Sequence, residues 1–410
     1  MAYNKTEHLR RNIEAIRTAF ALEREQRAAT PEERDVLRAY SGFGAIKEVL
    51  EPLPHKQETA LPPLIEELHA VLKENTGGER EYKRYLDGLK ASVLTAFYTP
   101  EPVTDAIMRM LYNAGVVPVR ALEPSAGTGA FAEYLRRYNE EAEITCFEKD
   151  PLTVLILHRL HPDDTVRVQG FETIEPAYEG HFDLITSNIP FGDVSLFDPA
   201  FSSSRDPVRR QGAWAIHNYF FMKSVDLVRD GGLVAFITSQ GVADAERNRP
   251  VREWLMERCD LVAAVRLPNN LFTDHAGTEV GSDLIVLQKN SAARPLSERQ
   301  RDFIETRTLS NGITVNNSFQ SLDRVVQTSA KVGTNPYGKP AMEFTHAGGV
   351  EGIARALADM LAEDMERHFN RELYESHAPK TAPRQYRERQ TETVSPRQAH
   401  DDIGQARNTE

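Results

Sequence analysis

The sequence predicts an α/β fold. A mostly parallel sheet is covered by helices on both faces, with an antiparallel strand at one edge and a helical domain in front. Three observations predict it. From about residue 91, strand-like apolar runs alternate with helical ones, the order that builds a parallel sheet. The first of these strands runs straight into a glycine turn, Gly127-Thr128-Gly129, and then a helix start. Before residue 91 the apolar residues recur at helical spacing instead.

Residues 1–90 read as a helical N-terminal domain. Ile13, Ile16 and Phe20 share one helix face, and Thr30-Pro31-Glu32-Glu33 offers an N-cap, a first-turn proline and acids at the positive end of the helix dipole. Tyr40-Ser41-Gly42-Phe43-Gly44 breaks the pattern, and a second helical block, 61–89, is interrupted at Gly77-Gly78. Residues 91–290 read as the sheet domain. Strands are expected at 120–123, 143–148, 166–168 and 182–188, then at 233–239 after the turn Asp230-Gly231-Gly232. Runs at 261–267 and 282–289 are close enough in sequence to form an antiparallel pair that closes an edge. Residues 291–376 read as an accessory region suited to docking: mixed and polar to 345, then a helix over 350–369 with Ile353, Ala356, Leu357, Met360 and Leu361 on one side. Residues 377–410 are rich in Arg, Gln, Thr and Pro with almost nothing to bury, so a disordered tail is expected.

Composition narrows the function classes. The net charge of −12 over 410 residues is awkward for a protein that grips nucleic acid unaided, since Lys and Arg contacts to phosphate dominate that affinity. A local basic surface or a partner chain would have to supply the grip. No apolar run is long enough to cross a bilayer, and the polar start Met1-Ala2-Tyr3-Asn4-Lys5 is unlike a signal peptide. Cys146 and Cys259 sit in separate apolar runs, as core thiols of a reducing compartment do, and the protein is expected to be cytoplasmic and without a metal. No Gly-x-x-x-x-Gly-Lys-Ser/Thr loop is present for a helicase motor.

The glycine turn belongs to Glu123-Pro124-Ser125-Ala126-Gly127-Thr128-Gly129, between a strand and a helix. Its glycines let the backbone turn tightly and approach a ligand without a Cβ in the way. Glu148, followed by Lys149, ends the next strand about 20 residues on, where such folds set a carboxylate on ribose hydroxyls. The loop lacks both a full Gly-x-Gly-x-x-Gly and a phosphate-binding lysine, which favours S-adenosylmethionine over a phosphorylated nucleotide. Phe97-Tyr98-Thr99-Pro100 precedes an amphipathic helix with Ile107 and Leu111; Thr99 or the adjacent backbone could cap that helix and meet the methionine carboxylate. Gly170-Phe171-Glu172 ends the third strand, where either Phe171 or Glu172 could contact adenine.

Asn188-Ile189-Pro190-Phe191 falls at the carboxyl end of the fourth strand, on the sheet edge that carries the cofactor loop, where open parallel sheets bind ligands. The Asn188 side-chain oxygen and the Ile189 carbonyl can accept the two N–H bonds of an exocyclic amine, and Phe191 offers a ring face to a base. Asn188 is also expected to contact the methyl donor. The long segment 192–214, with Ser202-Ser203-Ser204-Arg205, Arg209-Arg210 and Trp214, could touch an extruded nucleotide or its backbone. Leu267-Pro268-Asn269-Asn270-Leu271-Phe272 could wall the base pocket.

The order of Phe97–Pro100, Glu123–Gly129, Glu148, Gly170–Glu172 and Asn188–Phe191 resembles the N6-adenine DNA methyltransferases, in particular their gamma group and the modification subunits of type I restriction systems. Residues 40–47 also look like the start of large adenine methylases of bacterial mobile elements. The resemblance covers roughly residues 1–290. It implies a Rossmann-like fold that uses S-adenosylmethionine, DNA as substrate, base flipping with direct in-line transfer, and a specificity, helicase or restriction partner on another chain. It assigns Tyr98, Thr99, Glu123, Pro124, Ser125, Ala126, Gly127, Thr128, Gly129, Glu148, Lys149, Phe171, Glu172 and Asn188 to the cofactor. Asn188, Ile189, Pro190 and Phe191 fall to the base pocket. One departure stands out: the family's second motif position is usually proline, and here it is Ile189. Two other readings share these motifs, a protein-glutamine N5-methyltransferase and a non-catalytic, methyltransferase-like DNA-binding protein. Cytosine N4 chemistry is close as well, and Asn188 in place of serine favours adenine by resemblance.

Overall fold

A computed structural model describes residues 4–44, 46–50, 61–95, 98–192, 194–273, 279–334, 338 and 340–379. The expected tail therefore lies outside the described residues from 380 onward, and so does Phe97.

Seven strands form one sheet: β1 (Arg120–Glu123), β2 (Glu143–Glu148), β3 (Thr165–Val168), β4 (Phe182–Asn188), β5 (Val228–Ser239), β6 (Cys259–Leu267) and β7 (Ser282–Lys289). Their order is β3-β2-β1-β4-β5-β7-β6. Pairings from β3 to β5 are parallel, whereas β7 runs antiparallel to both β5 and β6. The antiparallel member thus sits one place in from the edge, and β6 is outermost. The strand order, not the strand direction, reverses between β1 and β4, so the ligand-binding crevice of such a sheet opens above their carboxyl ends.

Before β3 the described helices are α1 (Lys5–Glu25), α2 (Pro31–Arg38), α3 (Leu61–Glu74), α4 (Glu79–Thr95), α5 (Glu101–Asn113), α6 (Ala130–Tyr138) and α7 (Pro151–Leu160). The capping box expected at α2 is present: Thr30 Oγ1 accepts from Glu33 N, and Glu33 Oε2 accepts from Thr30 N at 2.9 Å. Ile13, Ile16 and Phe20 share a core with Leu68 and Leu72 of α3 and with Leu152, Ile156 and Leu160 of α7. The N-terminal helices therefore lie on a helix of the sheet domain, and α4 runs across the expected boundary at 90.

One sheet face packs Val103, Ile107 and Leu111 of α5 with Ile353, Leu357, Leu361 and Met365 of the helix Gly349–His368. That helix, placed by the sequence in an accessory region, completes the core of the sheet. The other face is aromatic, with Phe147, Phe182 and Phe236 of the sheet against Tyr219, Phe220 and Phe221 of α10 (Ile216–Leu227), which follows the short helices α8 (Pro199–Ser202) and α9 (Pro207–Gly212). Between β7 and that last long helix lie the helix Glu298–Ile304 and two hairpins, β8–β9 (Thr306–Thr308, Thr314–Asn316) and β10–β11 (Ser329–Thr334, Pro340–Thr345). No helix among the described residues is long and apolar enough to cross a membrane. Cys146 and Cys259 are free thiols in the core.

Candidate active site

β1 ends at Glu123, and the loop 124–129 turns the chain into α6. Gly127 and Gly129 adopt left-handed conformations, with φ of 56° and 84°. At Gly127 a Cβ would lie 2.7 Å from the Tyr98 ring, and at Gly129 it would lie 2.5 Å from His161 Nε2, so only glycine fits either position. α6 has no side-chain N-cap of its own. Glu123, buried at the end of β1, accepts from Ala132 N at 2.8 Å and from Phe131 N at 3.4 Å instead. Burial holds its carboxyl well above the ordinary range. Glu123 thus positions the loop from beneath; its carboxylate is turned into the protein.

Glu148 closes the loop from β2. Its Oε2 accepts from Gly127 N at 2.9 Å, and its Oε1 accepts from Lys149 N and Asp150 N, each at 2.8 Å. A carboxylate has about four acceptor sites, so one remains for a ligand hydroxyl. Burial, reinforced by the neighbouring Asp150 charge, pushes the Glu148 carboxyl up to about 7. The Lys149 side chain is exposed. Pro124 and Ala126 are buried, Ser125 and Thr128 half-buried, and the Thr128 carbonyl accepts from His161 Nε2 at 3.2 Å.

Tyr98 stands over Gly127, edge-on to Tyr40 with ring centroids 6.4 Å apart. Tyr40 is buried, with its hydroxyl 3.3 Å from Thr153 Oγ1 on α7. Thr99 does not cap α5: Pro100 is the N-cap residue, with no side-chain cap bond. Among the described residues, the buried Thr99 Oγ1 has no hydrogen-bond partner. At the end of β3 the two expected residues part company. Phe171 is buried among Phe147, Tyr219 and Phe220, its centroid 5.0 Å from that of Phe220, so it is part of the aromatic core. Glu172 remains half-exposed above it.

The second segment meets this loop directly. Ser187, next to Asn188 on β4, donates from Oγ to the Ser125 carbonyl at 2.9 Å. Asn188 is half-buried at the strand end and pairs in register with Ile237 of β5. Ile189 is fully buried, and its N–H donates to the Ile237 carbonyl at 3.0 Å, which carries the ladder one residue beyond Asn188. Pro190 and Phe191 are half-buried, and Phe191 meets the buried Phe272 edge-to-face with centroids 6.3 Å apart. Phe272 is therefore the back wall of this position as well as core.

Sequence reasoning assigned no site role to Tyr40, Asp150, Thr153, His161 or Ser187. Asp150 carried a readable signal, an aspartate before a proline at a helix start; it caps α7 by accepting from Leu152 N and Thr153 N. The others make their contacts across long sequence separations, which no local pattern shows.

The fold and these two loops define a class, the Rossmann-like methyltransferases with an Asn-x-Pro-Phe edge. This chain belongs to the N-6 DNA Methylase family, whose model matches residues 88–332. Defense against restriction protein B of Escherichia phage P1 is 26% identical over 209 residues, covering 50% of this chain and 9% of the phage protein. The type II methyltransferase M.XamI of Xanthomonas campestris pv. amaranthicola is 26% identical over 239 residues, covering 55% of this chain and 44% of its own length. The chain thus spans less than half the length of either relative. Among solved structures, the type IIG restriction endonuclease BpuSI is 16% identical, with a TM-score of 0.41 over 88% of this chain and 44% of that one.

Proposed function

We propose that this chain transfers a methyl group from S-adenosylmethionine to the N6 amine of adenine in DNA, acting on a base turned out of the helix. The observation that carries the reading is the Ser187–Ser125 hydrogen bond, which holds the Asn188–Phe191 segment against the glycine loop at one sheet edge. The cofactor fits the residues present. Gly127 leaves a cradle that a Cβ would fill, Glu148 keeps an acceptor for a ribose hydroxyl, and the orphaned Thr99 hydroxyl suits a carboxylate. When bound, S-adenosylmethionine supplies an electrophilic methyl group on a sulfonium.

The protein's own part is orientation. Asn188 Oδ1 and the Ile189 carbonyl accept the two amine hydrogens, which turns the nitrogen lone pair out of conjugation and towards the donor. Phe191, backed by Phe272, stacks the base. Alignment of two bound reactants supplies most of the acceleration such a reaction needs, and no covalent enzyme intermediate is required. Because the chain carries a net charge of −12, we assign part of the DNA grip or its site specificity to a partner chain, of specificity, helicase or restriction type.

The test is incubation of the purified chain with labelled S-adenosylmethionine and unmethylated bacterial DNA, then digestion and mass spectrometry of the nucleosides. N6-methyladenine that disappears with Asn188→Ala supports the reading. Cofactor binding without any methylated nucleoside, with candidate partner chains also present, counts against it.

A further inference from the structure

The segment after Phe191 carries a surface that the proposed reaction does not use. Phe197 is 74% exposed, Trp214 67% and Val194 61%, in a protein whose other tryptophan, Trp254, is 6% exposed. Leu196 N donates to the Ala213 carbonyl at 2.9 Å, so Phe197 and Trp214 each lie one residue from the bond that closes this loop. Large rings left in water on one cross-linked loop suit a contact surface.

The loop is rigidly mounted. Arg209 pairs with both oxygens of Asp226, at 2.9 and 2.8 Å, and stacks 4.3 Å over the ring of the buried Phe201. Both described acids of residues 194–214 are engaged. Asp198 accepts from Tyr219 Oη at 2.7 Å and from Lys223 Nζ at 3.1 Å; Asp206 accepts from Val208 N and from Trp254 Nε1. Arg205 and Arg210 are exposed. The described part of this loop therefore presents two aromatic rings and two guanidiniums.

Both ends of the loop reach the site. It leaves Phe191 through Gly192, whose φ of 130° suits only glycine. It ends at α10, whose His217 Nδ1 lies 3.5 Å from Ser239 Oγ at the end of β5, the strand beside Asn188.

We infer that Phe197 and Trp214 form a stacking platform for unpaired bases beside the target adenine, flanked by Arg205 and Arg210 on the backbone. The inference rests on DNA being the substrate. Turning a base out of a duplex leaves its neighbours short of a stacking partner, and a fixed aromatic face replaces it. Stacking needs no base identity and little charge, which suits a chain whose net charge is −12.

Trp254→Phe leaves Trp214 as the sole tryptophan. The full chain carrying that change is titrated with a short single-stranded oligodeoxynucleotide containing one adenine, and Trp214 emission and its acrylamide quenching are followed. Emission should fall and the ring should become protected. Should Trp254→Phe not fold, the anisotropy of a labelled oligonucleotide tests the same point on the native chain. There Phe197→Ala and Trp214→Ala should each weaken binding about tenfold while S-adenosylmethionine binding is unchanged. Adenine methylation with full-strength oligonucleotide binding in both alanine variants overturns the platform and leaves the reaction standing. Neither methylation nor DNA binding, with or without a partner chain, overturns both. Protection of Trp214 by a polypeptide but not by the oligonucleotide overturns the assignment to bases.

Discussion

The backbone N–H of Ile189 donates to the carbonyl of Ile237 at 3.0 Å, at the position where the family usually has proline. Proline would fix φ but has no N–H to give. Here the same loop is held by one more rung of the β4–β5 ladder and by burial of the isoleucine side chain against the aromatic face of the sheet. Isoleucine thus replaces one means of rigidity with another.

Ile189→Pro should therefore destabilise the protein although it restores the family residue. Losing a buried hydrogen bond costs about 1–3 kcal/mol, and a smaller ring in the pocket adds to that. Urea unfolding should show a lower midpoint, with cofactor affinity little changed because the glycine loop is untouched. An unchanged midpoint together with faster turnover would mean that the ladder bond contributes nothing.

Gly127→Ala should abolish cofactor binding in a protein that still folds. The left-handed φ costs an alanine about 1–2 kcal/mol, and its Cβ would sit 2.7 Å from the Tyr98 ring. Calorimetric titration with S-adenosylmethionine checks this. Adding Tyr98→Ala removes the clash and leaves the φ strain, so partial recovery in the double variant identifies the ring as the obstacle.

Thr99→Val separates a ligand role from a structural one. The buried hydroxyl has no partner among the described residues, so its removal should leave the stability of the ligand-free protein equal or up to about 1 kcal/mol higher. Affinity for S-adenosylmethionine should fall about tenfold if the hydroxyl meets the ligand carboxylate. Lower thermal stability with unchanged affinity would make Thr99 part of the scaffold alone.

Much of this architecture is legible in the sequence. β1, β2, β4 and β7 begin and end where their apolar runs do, because each is bounded by turn or cap residues that stop the pattern. β5 begins earlier than its pattern suggests, at Val228. Asp230-Gly231-Gly232 reads as a turn, yet the strand continues through it, with Gly231 at φ of 75° and a register shift between Phe182 and Leu184 opposite. Arg229, paired with the buried Asp183 at 2.5 Å, holds that irregular start in place. The β10–β11 hairpin was not legible, since β10 is exposed along most of its length and so lacks the alternation a half-buried strand shows. In the site, the loop glycines and the Asn188 segment were readable from their order. That Glu123 faces α6, that Phe171 is core and that Tyr40 backs Tyr98 are tertiary facts without a local signal.

Cofactor affinity should rise with pH through the Glu148 carboxyl, which titrates at about 7 in the ligand-free protein. The ribose hydroxyl needs an acceptor, and the ionised carboxylate is acceptor-only. Binding therefore favours the ionised form and lowers its pKa, so affinity climbs from pH 6 towards 8, about one unit either side of that value, and levels off above it. The same raised pKa acts on folding in the opposite sense. The native state holds this proton more tightly than the unfolded chain, so the Glu148 contribution to stability is full below about 4.5 and is lost as pH rises to about 7. Bound cofactor offsets that loss. Titrations with S-adenosylmethionine across this range, beside thermal melts of the free protein, read both effects. Glu148→Gln should bind weakly and show a flat profile. A slope that persists in this variant would move the titration to another group and remove Glu148 from the ribose.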